Sequence, residues 1–202
     1  MLDTYRKIVP APLRAWLRKR LGGTDEQWQR VVMNRTTDQY VRSLDVANMD
    51  ALEISGKDWA RVPFRSYRSI YFPEYDVCSE PLRREGWDIV IAEQVFEHVV
   101  APWRASKNVF QMLRPGGLFV ITTPFLIPIH EDPIDCSRWT ETGIKYLLAE
   151  GGFSPDKITT GSWGNRRCLR GNLRYWTRYV PLIHSLKNES RYPQTVWAFA
   201  RK

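Results

Sequence analysis

Cysteine is scarce in this chain, and Cys78, Cys136 and Cys168 show no paired spacing of the kind that zinc sites or disulfide frameworks use. Histidine is equally scarce, so chemistry that needs a neutral imidazole must draw on His98, His130 or His184. No apolar run approaches the length of a membrane-spanning helix, and no internal repeat or low-complexity tract is present. The opening residues MLDTYRK lack the apolar core of a secretory leader. These absences predict one soluble domain over residues 1–202 in a reducing, cytoplasmic setting.

Apolar material and positive charge are abundant. A chain of 202 residues, 43% hydrophobic and with nine tryptophans, can bury a substantial core. The net charge of +8 is unevenly placed. Arg6, Lys7, Arg14, Arg18, Lys19 and Arg20 cluster ahead of Gly22-Gly23, with Leu13, Trp16, Leu17 and Leu21 at helical spacing among them. Residues 1–23 therefore predict a basic amphipathic helix, with three open destinations: an anionic membrane surface, a partner subunit as in a homodimer, or its own domain. A second basic stretch, within 161–192, interleaves Arg166, Arg167, Arg170, Arg174 and Arg178 with Trp163, Tyr175, Trp176 and Tyr179. Arg170, Arg174 and Arg178 would share one face of a continuous helix. Nothing else suggests a nucleic-acid module, and nucleic acid is not the expected partner.

The most informative stretch runs from Trp87 to Gly117. Ile89, Val90 and Ile91 form a short apolar β-branched run, and Leu118 to Ile121 form another after Pro115-Gly116-Gly117. Phe96, Val99, Trp103, Val109, Phe110 and Leu113 can line one face of a helical crossover between them. A parallel strand pair requires such a crossover.

The order D-I-V-I-A-x-x-V-F-E-H-V (Asp88 to Val99), then L-R-P-G-G (Leu113 to Gly117), then a strand closing in Thr123-Pro124, resembles the fourth and fifth strands of class I S-adenosylmethionine-dependent methyltransferases. The resemblance covers about Ala51 to Phe153, with a final strand expected at Thr195 to Ala200. It implies a Rossmann-like α/β fold with a mostly parallel seven-stranded sheet, helices on both faces and a reversed final strand. The cofactor would be S-adenosylmethionine.

Family position by family position, the resemblance implies a cofactor site. Glu53 stands at the acidic position after the first strand, and Ser55, Gly56 and Lys57 replace the usual glycine loop, which keeps one glycine. Asp76, with Val77 and Cys78, stands where the family borders adenine. Tyr71 ends the expected second strand, Tyr67 to Tyr71, where the family offers a ribose carboxylate. Glu53 and Asp76 lie too close in sequence for the usual helices and strands between them, so a helix there must be missing or very short. Ala92 and Gln94 follow the fourth strand beside the cofactor, Glu93 faces cofactor or acceptor, and Glu97 and His98 line the pocket.

Catalysis falls to the loop beyond the fifth strand, since ligands of such sheets bind outside the carboxyl ends of the strands. Thr123 to Thr140 reads TPFLIPIHEDPIDCSRWT, with Pro124, Pro128 and Pro133 to hold its shape. His130 is the candidate general base, Asp135 or Asp132 its orienting acid, and Arg138 or Trp139 the shapers of the acceptor pocket. Thr140 is expected to cap a helix Glu141 to Glu150. A divalent cation held by Glu93 with Asp132 or Glu131 is a further option. His184 reads as structural. Trp139, Trp163, Tyr175 and Trp176 suit the flat faces of a sugar. The H-x-x-P-x-D-x-x-R-W-T loop also resembles polysaccharide-pathway methyltransferases, including small sugar O-methyltransferases of actinobacterial methylmannose polysaccharide synthesis. That likeness implies a sugar or other small-molecule acceptor.

Overall fold

The computed structural model describes residues 10–173 and 176–202. The apolar runs become parallel strands, because segments buried on both faces can be continuously hydrophobic. Strand β1 (Asp50–Ile54) pairs with β2 (Ser66–Ile70) and β3 (Trp87–Glu93), and β3 pairs with β4 (Leu113–Pro124), all parallel. After β4 come β5 (Ile158–Trp163) and β6 (Thr195–Arg201). The chain reverses in β6, which runs antiparallel between β4 and β5. The order is β2-β1-β3-β4-β6-β5.

Six strands form the sheet among the described residues, not the expected seven. The difference lies in residues 71–86, which hold turns and bends where a further edge strand and its helix would have to fit. Tyr75 and Val77 pack straight into the core from this segment, and the Tyr75 hydroxyl donates to the Glu80 carbonyl at 2.8 Å. The missing helix is confirmed nearer β1, where only a short 3₁₀ turn, Asp58–Arg61, connects β1 to β2.

Side-chain alternation along the strands divides the core into two layers. Leu52, Val90, Phe119, Ile121 and Ala198 face helices α3 (Pro102–Met112) and α4 (Glu141–Glu150). Ala51, Ile89, Ile91, Val120 and Phe199 face α2 (Val31–Arg42), Trp59 and α5 (Arg166–Asn172). Thr140 caps α4 as expected, its Oγ1 accepting from the Gly143 N–H at 3.1 Å. Trp103, expected on the buried face of the crossover helix, is 54% exposed on α3.

The two signature motifs also meet, at the amino ends of the strands. Arg114 of the L-R-P-G-G run donates to Asp88 at 2.6 Å and to Asp50 at 2.9 Å, and Asp88 accepts the Asp50 N–H at 2.8 Å. Arg65 also pairs with Asp50, and its guanidinium holds the Asp50 carboxyl well below the usual carboxylate range. Asp88 and Arg114 thus tie strand starts together at the end of the sheet opposite the carboxyl termini of β1 and β3.

Before the sheet, α1 (Ala11–Arg20) carries exposed Leu13 and Trp16, with the Arg20 guanidinium 5.0 Å from the Trp16 ring. No described helix is long and apolar enough to cross a membrane. The arginine stripe over Arg170, Arg174 and Arg178 does not form: α5 ends at Asn172, and Arg178 bonds the Asp25 carbonyl from beyond it. Arg174 and Tyr175 lie outside the described residues. His184 is structural, stacked on Trp28 at 4.1 Å with Nδ1 accepting from the Val180 N–H at 3.0 Å.

Candidate active site

A cavity of ≈1020 Å³ opens outside the carboxyl ends of β1, β3 and β4. Its walls come from the turn after β1 (Ile54, Ser55), from 71–78, from 94–100 after β3, and from the loop after β4 (His130, Asp132, Pro133, Ile134). Gln27, Gln29 and Arg30 close it from the amino-terminal side, with Trp176 and Thr195. Its size lies at the top of the range of about 300–1,000 Å³ usual for ligand pockets, enough for a cofactor and an acceptor together.

At one end, Tyr71, Phe72, Asp76, Val77 and Cys78 line the cavity as neighbours. Tyr71 and Phe72 are exposed at the rim, and Val77 presents a buried apolar wall. Asp76 Oδ1 accepts the Cys78 N–H at 2.8 Å, while Asn108 holds the Val77 carbonyl at 2.8 Å. Burial raises the Cys78 thiol pKa, so the thiol is neutral and Asp76 is the charged group of this wall. Aromatic rings, an aliphatic floor and one carboxylate fit a purine with an exocyclic amine.

Ser55 and Gln94 mark where backbone turns sharply against the cavity. Both have left-handed φ, 54° and 56°, although neither is glycine. The Ser55 N–H donates to Ile70 at 2.7 Å and the Gln94 N–H to the Thr122 carbonyl at 3.0 Å, which fixes both turns. A left-handed conformation costs an L-residue roughly 1–2 kcal/mol, and at Ser55 that cost falls where the sequence resemblance expects a glycine.

Glu53 and Gly56 support this turn from behind and do not line the cavity. Glu53 is buried, and its carboxylate accepts from the Asp58 N–H (3.1 Å), the Trp59 N–H (3.0 Å) and the Tyr67 hydroxyl (2.6 Å). Burial raises its pKa and these bonds oppose the rise. A Cβ on Gly56 would lie 2.1 Å from Glu53 Oε1, so a side chain there would push the Glu53 carboxylate off its bonds to Asp58 and Trp59. Ala92 is likewise a core residue behind the wall.

Glu93 also departs from its expected place. Strand alternation turns it to the face shared with Ile89 and Ile91, into a separate cavity of ≈260 Å³ with Asn34, Thr37, Asp58, Trp59 and Arg61. The Trp59 indole donates to it at 3.1 Å, and burial raises its pKa. Glu93 therefore neither faces the acceptor nor meets Asp132 around a cation.

The loop after β4 carries His130 into the cavity. Burial lowers the His130 pKa from 6.5, so the imidazole is neutral at pH 7. The His98 ring lies 5.1 Å away edge-on and the Trp176 ring 5.7 Å away. Asp135 does not orient the imidazole: its Oδ2 accepts the His130 backbone N–H at 2.8 Å, and Arg138 pairs with both its oxygens. The Arg138 guanidinium holds the Asp135 carboxyl below its ordinary value. Arg138 is thus committed to Asp135, and Trp139 packs against the core, so neither lines the cavity.

Glu97 and His98 stand between the two ends. Glu97 is buried, lines the cavity, and has a pKa pushed up to about 7 by desolvation. Its backbone carbonyl accepts from Cys136 N (2.7 Å) and Ser137 N (3.2 Å), which clips the His130 loop to the turn after β3. Trp163, by contrast, is core: it is 1% exposed and donates its indole N–H to the Leu186 carbonyl at 2.9 Å. Tyr175 lies outside the described residues.

Gln27, Gln29 and Arg30 went unnoticed in the sequence. They sit in the 3₁₀ turn leading into α2, and only the tertiary fold brings them to the site. Gln29 is locked there by Asn172 (2.7 Å) and Gln27 (2.7 Å).

Residues 35–121 match the family described as "Methyltransferase domain". That span covers β1 to β3 and most of β4, and it stops short of the His130 loop. No curated protein sequence matches the chain significantly. Among solved structures, the chain is similar to an S-adenosylmethionine-dependent methyltransferase of Thermotoga maritima, described as a possible histamine N-methyltransferase (14% identity, all of both chains, TM-score 0.56). It is also similar to S-adenosylmethionine-dependent methyltransferases of Archaeoglobus fulgidus (12% identity, 94% of this chain and 99% of that one, TM-score 0.52) and Mesorhizobium loti (14% identity, 81% and 96%, TM-score 0.50). With the β2-β1-β3-β4-β6-β5 sheet, helices on both faces and a cavity at the carboxyl ends of the strands, the chain has the class I S-adenosylmethionine-dependent methyltransferase fold, and its residues 35–121 are similar to the methyltransferase-domain family.

Proposed function

We propose that this protein transfers a methyl group to a hydroxyl of a sugar or oligosaccharide, with His130 as the general base. The observation that carries this reading is the shared cavity: one end is lined by Tyr71, Asp76, Val77, Ser55 and Gln94, and the other by a neutral His130.

Bound S-adenosylmethionine supplies an electrophilic methyl carbon on a sulfonium. Asp76 would accept from the adenine amine, Val77 would carry the purine face, and Tyr71 would stand at the ribose in place of a carboxylate. The turn at Ser55, with its small side chain, would let backbone approach the ligand, and at Gln94 the side-chain amide is held on Thr122 Oγ1 at 3.2 Å. Val95, Val99 and Ile127 line the cavity as apolar surface and exclude water from the displacement.

With that methyl group aligned on the acceptor oxygen and the sulfonium as leaving group, the unprotonated nitrogen of His130 would take the hydroxyl proton. Trp176, at the same end, offers an aromatic face to the apolar side of a sugar ring. This role falls to Trp176 because Trp139 and Trp163 are committed to packing.

The test is radiolabelled methyl transfer to a panel of oligosaccharides, beside small hydroxyl and amine metabolites, with wild type and His130→Ala. Transfer to a sugar hydroxyl that His130→Ala loses is the expected result. Exclusive transfer to amines would overturn the acceptor class, and full turnover by His130→Ala across a wide pH range would overturn the base.

A further inference from the structure

Glu97 is a buried carboxylate whose oxygens have no hydrogen-bond partner, with the His98 ring as a polar neighbour. Its side chain is 0% exposed, and neither Oε1 nor Oε2 has a hydrogen bond. Leaving a charged group buried and unpaired is among the costliest arrangements a protein can hold. Glu97 lines the cavity together with two imidazoles, and one donor atom from each of Glu97, His98 and His130 falls within 4.8 Å of the others.

The His98 ring is set up in a particular tautomer. Its Nδ1 contacts the Ile134 carbonyl, which can only accept, so Nδ1 carries the proton. The Nε2 atom lies 3.7 Å from Glu97 Oε1. An imidazole whose second nitrogen donates to a backbone carbonyl is the usual outer support of a metal ligand. The His130 backbone is fixed by Asp135, and the loop is clipped to the Glu97 carbonyl through Cys136 and Ser137.

We propose that Glu97, His98 and His130 form a binding site for one first-row divalent transition ion of the zinc class. Two imidazoles and one carboxylate are a donor set suited to zinc or its neighbours and not to magnesium or calcium. Three protein ligands leave a coordination position open toward the cavity. A tetrahedral ion with bonds of about 2.1 Å spaces its ligands about 3.4 Å apart, so closure needs side-chain rotation of about an ångström. The ion would occupy the lone pair that a base at His130 needs. Metal loading therefore switches off His130-assisted transfer, a consequence that rests on the proposed function, whereas the site itself does not.

The experiment is titration of the chelator-stripped full chain with Zn²⁺ in competition with a chromophoric chelator, repeated with Co²⁺ for its absorption spectrum. Wild type is expected to bind one equivalent. Glu97→Gln and His130→Ala should each weaken binding by at least about tenfold, with circular dichroism unchanged. Zn²⁺ should also raise the melting temperature of wild type and not of His130→Ala. Absence of stoichiometric binding, wild-type affinity in either variant, or a thiolate charge-transfer band in the Co²⁺ spectrum that assigns the ion to cysteine would each overturn the site. Calorimetry with S-adenosylmethionine on the stripped protein separates this failure from failure of the methyltransferase reading.

Discussion

The Asp135 carboxylate accepts the backbone N–H of His130 at 2.8 Å and is gripped by Arg138, so the acid positions the loop and leaves the imidazole free. Asp135→Ala would orphan an N–H and the Arg138 charge together. Its side chain is 3% exposed, and losing a charged hydrogen bond of this kind costs about 2 kcal/mol. Chemical denaturation should report that loss, and turnover should fall while the affinity for S-adenosylmethionine changes less than about twofold.

His130 gives the reaction a pH dependence of definite sign. Its pKa is lowered from 6.5 by burial, so the protonated, inactive form predominates only in acid. In chelator-treated protein, turnover should rise with pH along a limb centred below 6.5 and then level off. His130→Ala should remove that limb and lower kcat by about 10²–10⁴-fold. A pH-rate profile of both proteins measures this.

Glu97 acts on stability in the opposite sense to a salt-bridged acid. Its folded pKa of about 7 lies above its ordinary 4.5, so the native state holds the proton more tightly than the unfolded chain. The resulting stability is complete below pH 4.5 and lost as pH rises through about 7. A displacement of this size corresponds to roughly 3 kcal/mol. Urea unfolding of metal-free Glu97→Gln at pH 5 and pH 8.5 should show the variant gaining on wild type at the higher pH.

The strands were legible in the sequence because buried parallel strands leave continuous apolar runs, as in Ile89-Val90-Ile91, and because Pro115-Gly116-Gly117 punctuates the turn before Leu118. The reversed final strand came from the resemblance, which placed it at Thr195 to Ala200, and β6 runs antiparallel there. What failed were placements decided by strand alternation and by tertiary packing. Glu93 and Gln94 are adjacent, yet they point to different cavities. Glu53 and Trp163 look like site residues until their hydrogen bonds to Trp59 and Leu186 are seen. Asp88 and Arg114, conspicuous inside the motifs, serve the strand starts. Trp176, one of the aromatics expected to suit a sugar face, does line the cavity, whereas Arg30 reaches it from a distant segment that no local pattern marks.

Ser55 has φ 54° where glycine is conformationally free. Ser55→Gly should relieve about 1 kcal/mol of backbone strain, visible as a higher melting temperature, with affinity for S-adenosylmethionine undiminished. Ser55→Val should do the reverse on both measures, since a β-branched residue tolerates this conformation worst.

The most direct measurement is isothermal calorimetry of S-adenosylmethionine binding to the wild-type chain and to Asp76→Ala. A saturable one-to-one isotherm, weakened about tenfold by losing the charged acceptor at Asp76, is the expected result. Absence of saturable binding at millimolar S-adenosylmethionine would contradict the assignment of this cavity to methyl transfer.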